Sequence, residues 1–365
     1  MAAFDKRYVR NFDYPLLGIT LALIGVGLLN IYSATGGGQG GIFSKQLLWF
    51  AIGMVALLPV ILIDYRVLER LAYPVYVLTL VTLVSVLVVG RVSLGARRWI
   101  DVGGFSLQPS EFAKLTLVIV LAKYFQQVWR TNGYNARELI IPLLLALFPF
   151  ALIAKQPDLG SAGFLIIITG TIFLLVKVER RLLITLTAVA APIPFIAWKF
   201  LMHDYQKQRV LTLLNPESDP LGKGYHIIQS IIAVGSGGIF GKGFMLGSQA
   251  QLNFLPEQHT DFIFSVLAEE WGFAGALVTL GLFIGLIYLA IDVALNAKDR
   301  FGQLLAAGIA AMFFWQTFIN VAMVIGVFPV VGVPLPFVSY GGSALLMNLF
   351  ALGILLNISM RRFMF

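Results

Sequence analysis

Cysteine is absent from the 365-residue chain, and charged side chains make up only 12% of its residues. Without cysteine the protein has no disulfide, no thiolate metal ligand and no cysteine nucleophile. A soluble domain is about 25% charged and roughly 45–50% apolar, whereas this chain is 59% apolar and contains 29 phenylalanines. The composition excludes a soluble globular enzyme, a disordered chain and a nucleic-acid-binding module.

Long uncharged segments predict an all-α, polytopic membrane protein. A spanning helix needs about 20 mostly apolar residues, whereas β-barrel strands would alternate in polarity. We predict ten transmembrane helices, near residues 15–34, 46–63, 71–89, 109–125, 139–154, 160–176, 182–201, 262–291, 302–326 and 341–359. The eighth is long enough to tilt. No repeat or linker is evident, so residues 1–365 are interpreted as a single integral domain.

Basic residues predict the orientation of these spans. Most basic residues near the spans fall on the side that both termini share. The short loops of the other side hold only Lys45, Arg91, Arg97, Arg98 and Lys155. This bias predicts that both termini are cytoplasmic. Residues 202–261, between spans seven and eight, then form one large extracytoplasmic loop, in which the amphipathic segment 224–234 predicts a short helix at the membrane surface.

Two charged residues lie inside the fourth predicted span. An ionisable residue there is costly and indicates function by default. Glu111 and Lys114 are three residues apart, so they share one helical face and can pair. A structural ion pair and the polar wall of a cavity for a charged substrate are both compatible with this spacing.

Further carboxylates lie at or near the ends of spans. Asp158 precedes the sixth span, where a carboxylate can cap free N–H groups. Asp261 lies where the large loop meets the eighth span, a setting in which partial desolvation favours a general base; a helix cap is the alternative. Glu269 and Glu270 point in different directions on a helix, so at most one should face the same cavity as Asp261.

Two other sequence patterns do not indicate a ligand-binding site. The glycine-rich segment 235–243 lacks the spacing of a phosphate-binding loop, and tight turns on the membrane surface account for it better. The three histidines match no zinc motif. The sequence identifies no protein metal site and no cofactor. Binding of a divalent cation such as Mg²⁺ by carboxylates and substrate phosphates is the alternative that the sequence leaves open.

Five blocks resemble the signature blocks of SEDS proteins, the membrane glycosyltransferases of bacterial shape, elongation, division and sporulation. They are residues 108–111 (QPSE), 156–160 (QPDLG), 224–230 (GYHIIQS), 256–262 (PEQHTDF) and 334–342 (PLPFVSYGG). Segments 203–209 and 215–222 favour the elongation branch over the division branch. Several long blocks in the right order are far more specific than one motif.

The resemblance implies polymerisation of lipid II into glycan strands, with release of undecaprenyl diphosphate, on the outer face of the bacterial inner membrane during elongation and rod-shape maintenance. It implies that Asp261 is the catalytic carboxylate and that Glu111 and Lys114 support a central cavity. Substrate-binding positions that match family blocks are Asp158, Gln206 and Arg209. Lys155 and Lys207, with Arg209, are the outer-face cations available to a leaving diphosphate.

The resemblance also implies a partner, a class B penicillin-binding protein whose transpeptidase crosslinks the strands. A family arginine just before the QPSE block has no match, since Ser106 and Leu107 stand there, so a role for Arg97 or Arg98 is less well supported. A lipid-linked precursor flippase or transporter is the alternative function, and Gln316 and Asn320 could line its path with the pair in span four. A structural scaffold would need only the spans and a partner surface.

Overall fold

The computed structural model describes residues 11–93, 96–103, 105–128, 130, 133–192, 195, 197–201, 204–218 and 222–362. The α-helices in these ranges are α1 (Tyr14–Ala34), α2 (Ile42–Leu62), α3 (Arg66–Val89), α4 (Pro109–Gln127), α5 (Ala136–Lys155), α6 (Leu159–Leu175), α7 (Arg180–Ala190), α8 (Asp204–Leu214), α9 (Lys223–Ser236), α10 (Ser248–Gln251), α11 (Ile263–Leu295), α12 (Arg300–Val324) and α13 (Gly342–Arg361). Short 3₁₀ turns occupy Gln39–Gly41 and Pro216–Ser218, and a π-helical turn occupies Ala197–Leu201.

The prediction of an all-α, polytopic membrane protein is confirmed. Within the described ranges seven helices are long and apolar enough to cross a membrane, namely α1, α2, α3, α5, α11, α12 and α13. Helix α6 is shorter and equally apolar, and α4 carries the charged pair of span four. Predicted spans one to six, nine and ten each coincide with one helix, with ends that differ by a few residues.

The seventh and eighth predicted spans differ from continuous helices. In the described part of span seven, α7 ends at Ala190, residues 191–192 form a turn that contains Pro192, and the π-helical turn follows at Ala197–Leu201. Proline lacks an N–H donor and clashes with the preceding turn, so it ends a helix. Helix α11 breaks at Gly272, where φ is 66° and ψ is −163°. The length of span eight therefore comes from two helical segments joined at a break.

A small antiparallel sheet, which the sequence did not predict, precedes α4. Its strands, in spatial order, are β1 (Arg91–Ser93), β2 (Ala96–Val102) and β3 (Phe105–Leu107). Ile100 pairs with Leu107 across β2 and β3, and Gly103 supplies the positive φ (57°) of the turn between these strands. The sheet packs on α3 and α4 and so leads directly into the QPSE block.

The core of the bundle is formed by α4, α12 and α13, which are buried along most of their length. Helix α2 packs on α13, α3 on α4, α1 on α11, and α5 on α6. Close approach depends on small residues: a side chain at Gly308 would collide with Val118 of α4, and one at Gly53 would collide with Leu349 of α13. Small residues let helices approach closely in membranes.

Candidate active site

Four segments that are far apart in sequence meet at one end of the bundle, which we call the Asp261 end. The backbone N–H of Gln108, just before α4, donates to the Ser343 hydroxyl at the start of α13 (2.9 Å). The side-chain amide of Gln108 donates to Asp158 Oδ2 before α6 (3.4 Å). The QPSE and QPDLG blocks are thus in direct contact.

The QPDLG block reaches the Asp261 turn through the loop between α12 and α13. Gly160, in the first turn of α6, lies so close to the carbonyl of Val331 that any side chain there would collide with it. A Cβ built on the next residue, Gly332, would lie 3.4 Å from Asp261 Oδ2. The loop therefore passes between the start of α6 and the carboxylate.

Asp261 does not cap the helix that follows it. The N-cap residue of α11 is Phe262, and it makes no side-chain capping hydrogen bond. Asp261 is half-buried, with one carboxylate oxygen beside Gly332. The capping alternative that its sequence position left open is not the arrangement that the fold adopts.

Glu111 and Lys114 form the ion pair that their spacing predicts. Lys114 Nζ lies 2.7 Å from Glu111 Oε1, and the two side chains are 3% and 4% exposed. The ammonium also lies 5.2 Å from the centre of the Phe164 ring on α6, a distance at which a cation is attracted to the ring face. Glu111 Oε2 has no hydrogen-bond partner among the described residues, so the pair leaves one acceptor available.

Asp158 is the N-cap of α6, as its position predicts. Its Oδ1 accepts from the backbone N–H of Ser161 (3.3 Å), and the residue is 4% exposed. Arg98 of β2 donates to the backbone carbonyls of Gln156 (3.3 Å) and Pro157. The guanidinium of Arg98 therefore holds the QPDLG turn, while Lys155, in the last turn of α5, is exposed.

The remaining predicted substrate residues lie on α8. The helix carries positions 206, 207 and 209; Lys207 is half-buried, and the side chains of Gln206 and Arg209 lie outside the described part of the structure. Helix α8 packs on α9, and α9 packs on α11. Ser230 joins α9 to α11 and α12, since its hydroxyl contacts that of Ser265 (2.8 Å) and donates to the carbonyl of Val324 (2.7 Å).

Glu269 and Glu270 are both engaged away from the Asp261 turn. Glu269 Oε1 accepts from Lys242 Nζ (2.7 Å) and the Ser248 hydroxyl (3.1 Å). Glu270 accepts a hydrogen bond from Ser33 of α1. Both carboxylates therefore fasten the large loop and α1 to the first segment of α11.

The glycine-rich segment has a structural role at the break in α11. The N–H groups of Phe273 and Ala274 donate to the carbonyls of Gly238 and Ile239, each at 2.9 Å. These bonds satisfy donors that the break at Gly272 leaves without a helical partner. Tight turns in the segment are confirmed, and they pack on α11.

Asn320 is a site residue whose role the sequence did not reveal. The sequence suggests for it only a place in the lining of a transport path. Its side-chain amide instead donates to the carbonyls of Asp261 (3.0 Å) and Val333 (2.9 Å). An intramembrane asparagine is a signal for function, but only the tertiary structure shows which groups it contacts.

Metal ligands are sparse at the Asp261 end. In the described ranges no three His, Asp or Glu side chains are grouped so as to hold a metal ion. Burial lowers the pKa of His259, against an opposing effect of Glu257. A divalent cation would therefore depend mainly on substrate phosphates for its ligands.

Two apolar grooves lie along α11. The α1–α11 groove, of about 410 Å³, is lined by Val26, Leu29, Asn30, Phe240, Leu267, Trp271, Ala274, Gly275, Val278 and Thr279. The α11–α12 groove, of about 320 Å³, is lined by Leu280, Phe283, Ile284, Ile287, Phe314, Thr317, Phe318, Val321, Ala322, Ile325 and Val327. No lining residue of either groove is charged.

Comparison with known proteins gives the family. Residues 14–363 match the FtsW/RodA/SpoVE family of cell cycle proteins. The chain is 44% identical over 354 residues to the peptidoglycan glycosyltransferase MrdB of Escherichia coli K12, which covers 96% of this chain and 94% of the relative. A solved structure that describes how a peptidoglycan synthase complex coordinates polymerization and crosslinking contains a chain of similar fold, with a TM-score of 0.83. That chain is 35% identical in sequence, and the match covers 97% of this chain and 99% of that one.

The fold also matches a crystal structure of the rod shape determining protein RodA of Thermus thermophilus, with a TM-score of 0.73. The two sequences are 29% identical, and the match covers 97% of this chain and 98% of that one. The likeness extends over nearly the whole chain and includes all five sequence blocks. The chain therefore belongs to the FtsW/RodA/SpoVE family, the SEDS proteins.

Proposed function

We propose that this peptidoglycan glycosyltransferase uses Asp261 as the general base that activates the acceptor sugar. The chain polymerises lipid II into glycan strands. The observation that carries the assignment to Asp261 is its position: a half-buried carboxylate that caps no helix, at the end of the bundle where four family blocks meet. General-base catalysis requires a carboxylate that is held in place and accessible to the reacting hydroxyl.

The reaction breaks the anomeric carbon–oxygen bond of the donor and expels a lipid diphosphate. Asp261 takes the proton of the attacking 4-hydroxyl as the new glycosidic bond forms. A diphosphate is a competent leaving group, so no second carboxylate has to protonate it. Cations stabilise the charge that develops on its oxygens, and the candidates are Lys155, Lys207 and Arg209.

Four further residues are proposed to bind or support the substrate. Glu111 and Lys114 would form one wall of the cavity, with the second oxygen of Glu111 available to a substrate hydroxyl. Asp158 would fix the position of Gln108, and Gln206 would contribute from α8.

The α1–α11 groove is proposed to hold the polyprenyl chain of the substrate. Its lining is apolar apart from Asn30 and Thr279, as a hydrocarbon chain requires. Trp271, on its border, is ten residues along the chain from Asp261, which corresponds to about 15 Å by helix rise. A chain in this groove would therefore leave its diphosphate and sugars near the Asp261 end.

The proposed partner is a class B penicillin-binding protein. The support is the likeness to a chain of a complex that coordinates polymerization with crosslinking. The α11–α12 groove is the proposed contact for the partner's membrane helix, because Phe314 and Phe318, with the apolar residues Val321 and Ala322, line about two turns of α12 there.

The orientation proposed for the chain places both termini in the cytoplasm of a bacterium and the Asp261 end on the outer face of the inner membrane. Since the chain has no native cysteine, Ser218→Cys gives a single reactive thiol in the large loop. A membrane-impermeant maleimide should label it in intact spheroplasts. Labelling that appears only after lysis would reverse the proposed orientation.

Polymer formation is the experiment that tests the function. Purified protein in detergent, given labelled lipid II, should produce glycan strands that separate as a ladder on a gel. A flippase or a scaffold would give no polymer. Of the polar side chains considered for a transport path, Lys114 pairs with Glu111 and Asn320 donates to two backbone carbonyls.

A further inference from the structure

The turn that carries Asp261 is held by three consecutive backbone carbonyls, those of residues 259, 260 and 261. Each accepts a hydrogen bond from a different donor. In order, the donors are the backbone N–H of Tyr340 (2.8 Å), the hydroxyl of Ser339 (2.7 Å) and the side-chain amide of Asn320 (3.0 Å). We call these three donors the carbonyl clamp. They come from two regions, α12 and the PLPFVSYGG block.

Asn320 connects both sides of the carboxylate. The residue is fully buried, and its amide nitrogen donates to Asp261 and to Val333. Val333 follows Gly332, where a Cβ would lie 3.4 Å from Asp261 Oδ2. One amide group therefore fixes both the backbone of Asp261 and the loop against which its side chain rests.

The side-chain amide of Asn320 positions the turn through its donor nitrogen. Its Oδ1 has no hydrogen-bond partner among the described residues, whereas both contacts that position the turn come from Nδ2. Ser339, which is 4% exposed, donates to Thr260 and accepts from the N–H of Leu335 (2.8 Å). The shape of the 335–339 turn thus sets where the Thr260 carbonyl lies.

We propose that Asn320, assisted by Ser339, is a positioning residue for glycosyl transfer. It acts through Asp261 by fixing the direction of the carboxylate toward the acceptor hydroxyl. This inference rests on the proposed role of Asp261 as base. Misplacing a catalytic group by 1 Å can lower the rate about 100-fold, so loss of the clamp should affect turnover more than substrate binding.

The first test is Asn320→Leu, which keeps the approximate volume and removes the donors. Gln316→Leu is the matched control, because Gln316 is a buried amide one turn earlier on α12. On lipid II, Asn320→Leu should lower kcat by about 10- to 100-fold with little change in KM. Gln316→Leu should retain kcat. Equal losses in the two variants, or a normal kcat in Asn320→Leu, would contradict the positioning role.

Ser339 supplies a second test if Asn320→Leu folds poorly. Ser339→Ala removes the hydroxyl, and Ser339→Thr restores it. We expect Ser339→Ala to lower kcat and Ser339→Thr to recover most of it, at equal amounts of folded protein. Equal kcat for wild type and Ser339→Ala would contradict the contribution of the clamp.

The double variant separates this inference from the proposed function. If Asn320 acts through Asp261, adding Asn320→Leu to Asp261→Asn should cause no further loss of rate. Losses that multiply would show that Asn320 acts independently, which overturns the inference alone. A fully active Asp261→Asn protein would instead overturn the assignment of the base, and the positioning role with it.

Discussion

Lys114 Nζ lies 2.7 Å from Glu111 Oε1 within one turn of α4, in side chains that are 96–97% buried. Glu111 stands two residues after Pro109, the first residue of the helix, so the pair lies close to the Asp261 end. Its stability depends on both partners, because a single charge left in this environment would have no compensation.

Glu111→Ala should reduce the yield of folded protein together with the activity. Breaking a buried ion pair by removing one partner typically costs about 3–5 kcal/mol. The double variant Glu111→Gln, Lys114→Gln removes both charges, so it should recover folded yield more than activity. Fluorescence-detected gel filtration and lipid II polymerisation measure the two quantities. Full activity in the double variant would show that the pair is structural only.

Gly272→Ala should destabilise the break in α11. The backbone there has a φ of 66° and a ψ of −163°, a region that essentially only glycine adopts, at a cost of about 1–3 kcal/mol for other residues. A methyl group would also collide with Gly241. Gly281→Ala, on the same helix with open space around it, is the control. Thermal melting in detergent should show a lower Tm for Gly272→Ala only; equal Tm values would contradict the account of the break.

Filling the α1–α11 groove should weaken substrate binding. Val278 lines the groove, and its side chain is 65% exposed. The neighbouring Leu277 is 58% exposed but does not line the groove, so it is the control position. Val278→Trp should raise KM for lipid II with little change in kcat, as expected when binding common to ground and transition states is lost. Leu277→Trp should leave both constants near wild type. Identical KM values for the two variants would remove the groove from the substrate path.

Acidification should destabilise the fold through His259. Burial lowers its pKa in the folded protein, so the unfolded chain binds more protons between the two pKa values. The stabilisation is fully present above the ordinary pKa of about 6.5 and is lost as the pH falls toward the lowered value. The Tm of His259→Gln should therefore fall less than that of the wild type between pH 7.5 and pH 5.5. These two settings lie about one unit on each side of the ordinary histidine pKa of about 6.5. An unchanged pH dependence of Tm would contradict this contribution.

The distribution of charged residues along the sequence was sufficient to predict most of the fold. An apolar segment of about 20 residues between charged residues is long enough to form a membrane-spanning helix. Local spacing was likewise sufficient for the Glu111–Lys114 pair and the Asp158 cap, since both depend on residues within one helical turn. The break at Gly272 depends on a contact with the distant loop at Gly241, and no local pattern encodes it. Two of the three strands before α4 have only three residues each, which is too few for a clear alternation of polarity.

The candidate site shows the same limit. The sequence blocks identified Asp261, Asp158 and the pair in α4, but not the contacts between them. Asn320 holds a carbonyl 59 residues away along the chain, and Glu269 holds a lysine 27 residues away. Such contacts arise from helix packing, so the sequence suggested polarity at these positions without assigning a role.

Asp261→Asn measures the central claim most directly. The change keeps the size of the side chain and its ability to accept hydrogen bonds, but the amide cannot take the proton of the acceptor hydroxyl. Asp158→Asn is the control, because Asp158 is a helix cap and an amide can still accept there. In lipid II polymerisation at equal folded protein, Asp261→Asn should be slower by about 10²–10⁴-fold, and Asp158→Asn much less affected. Near-normal polymerisation by Asp261→Asn would contradict the assignment of the base.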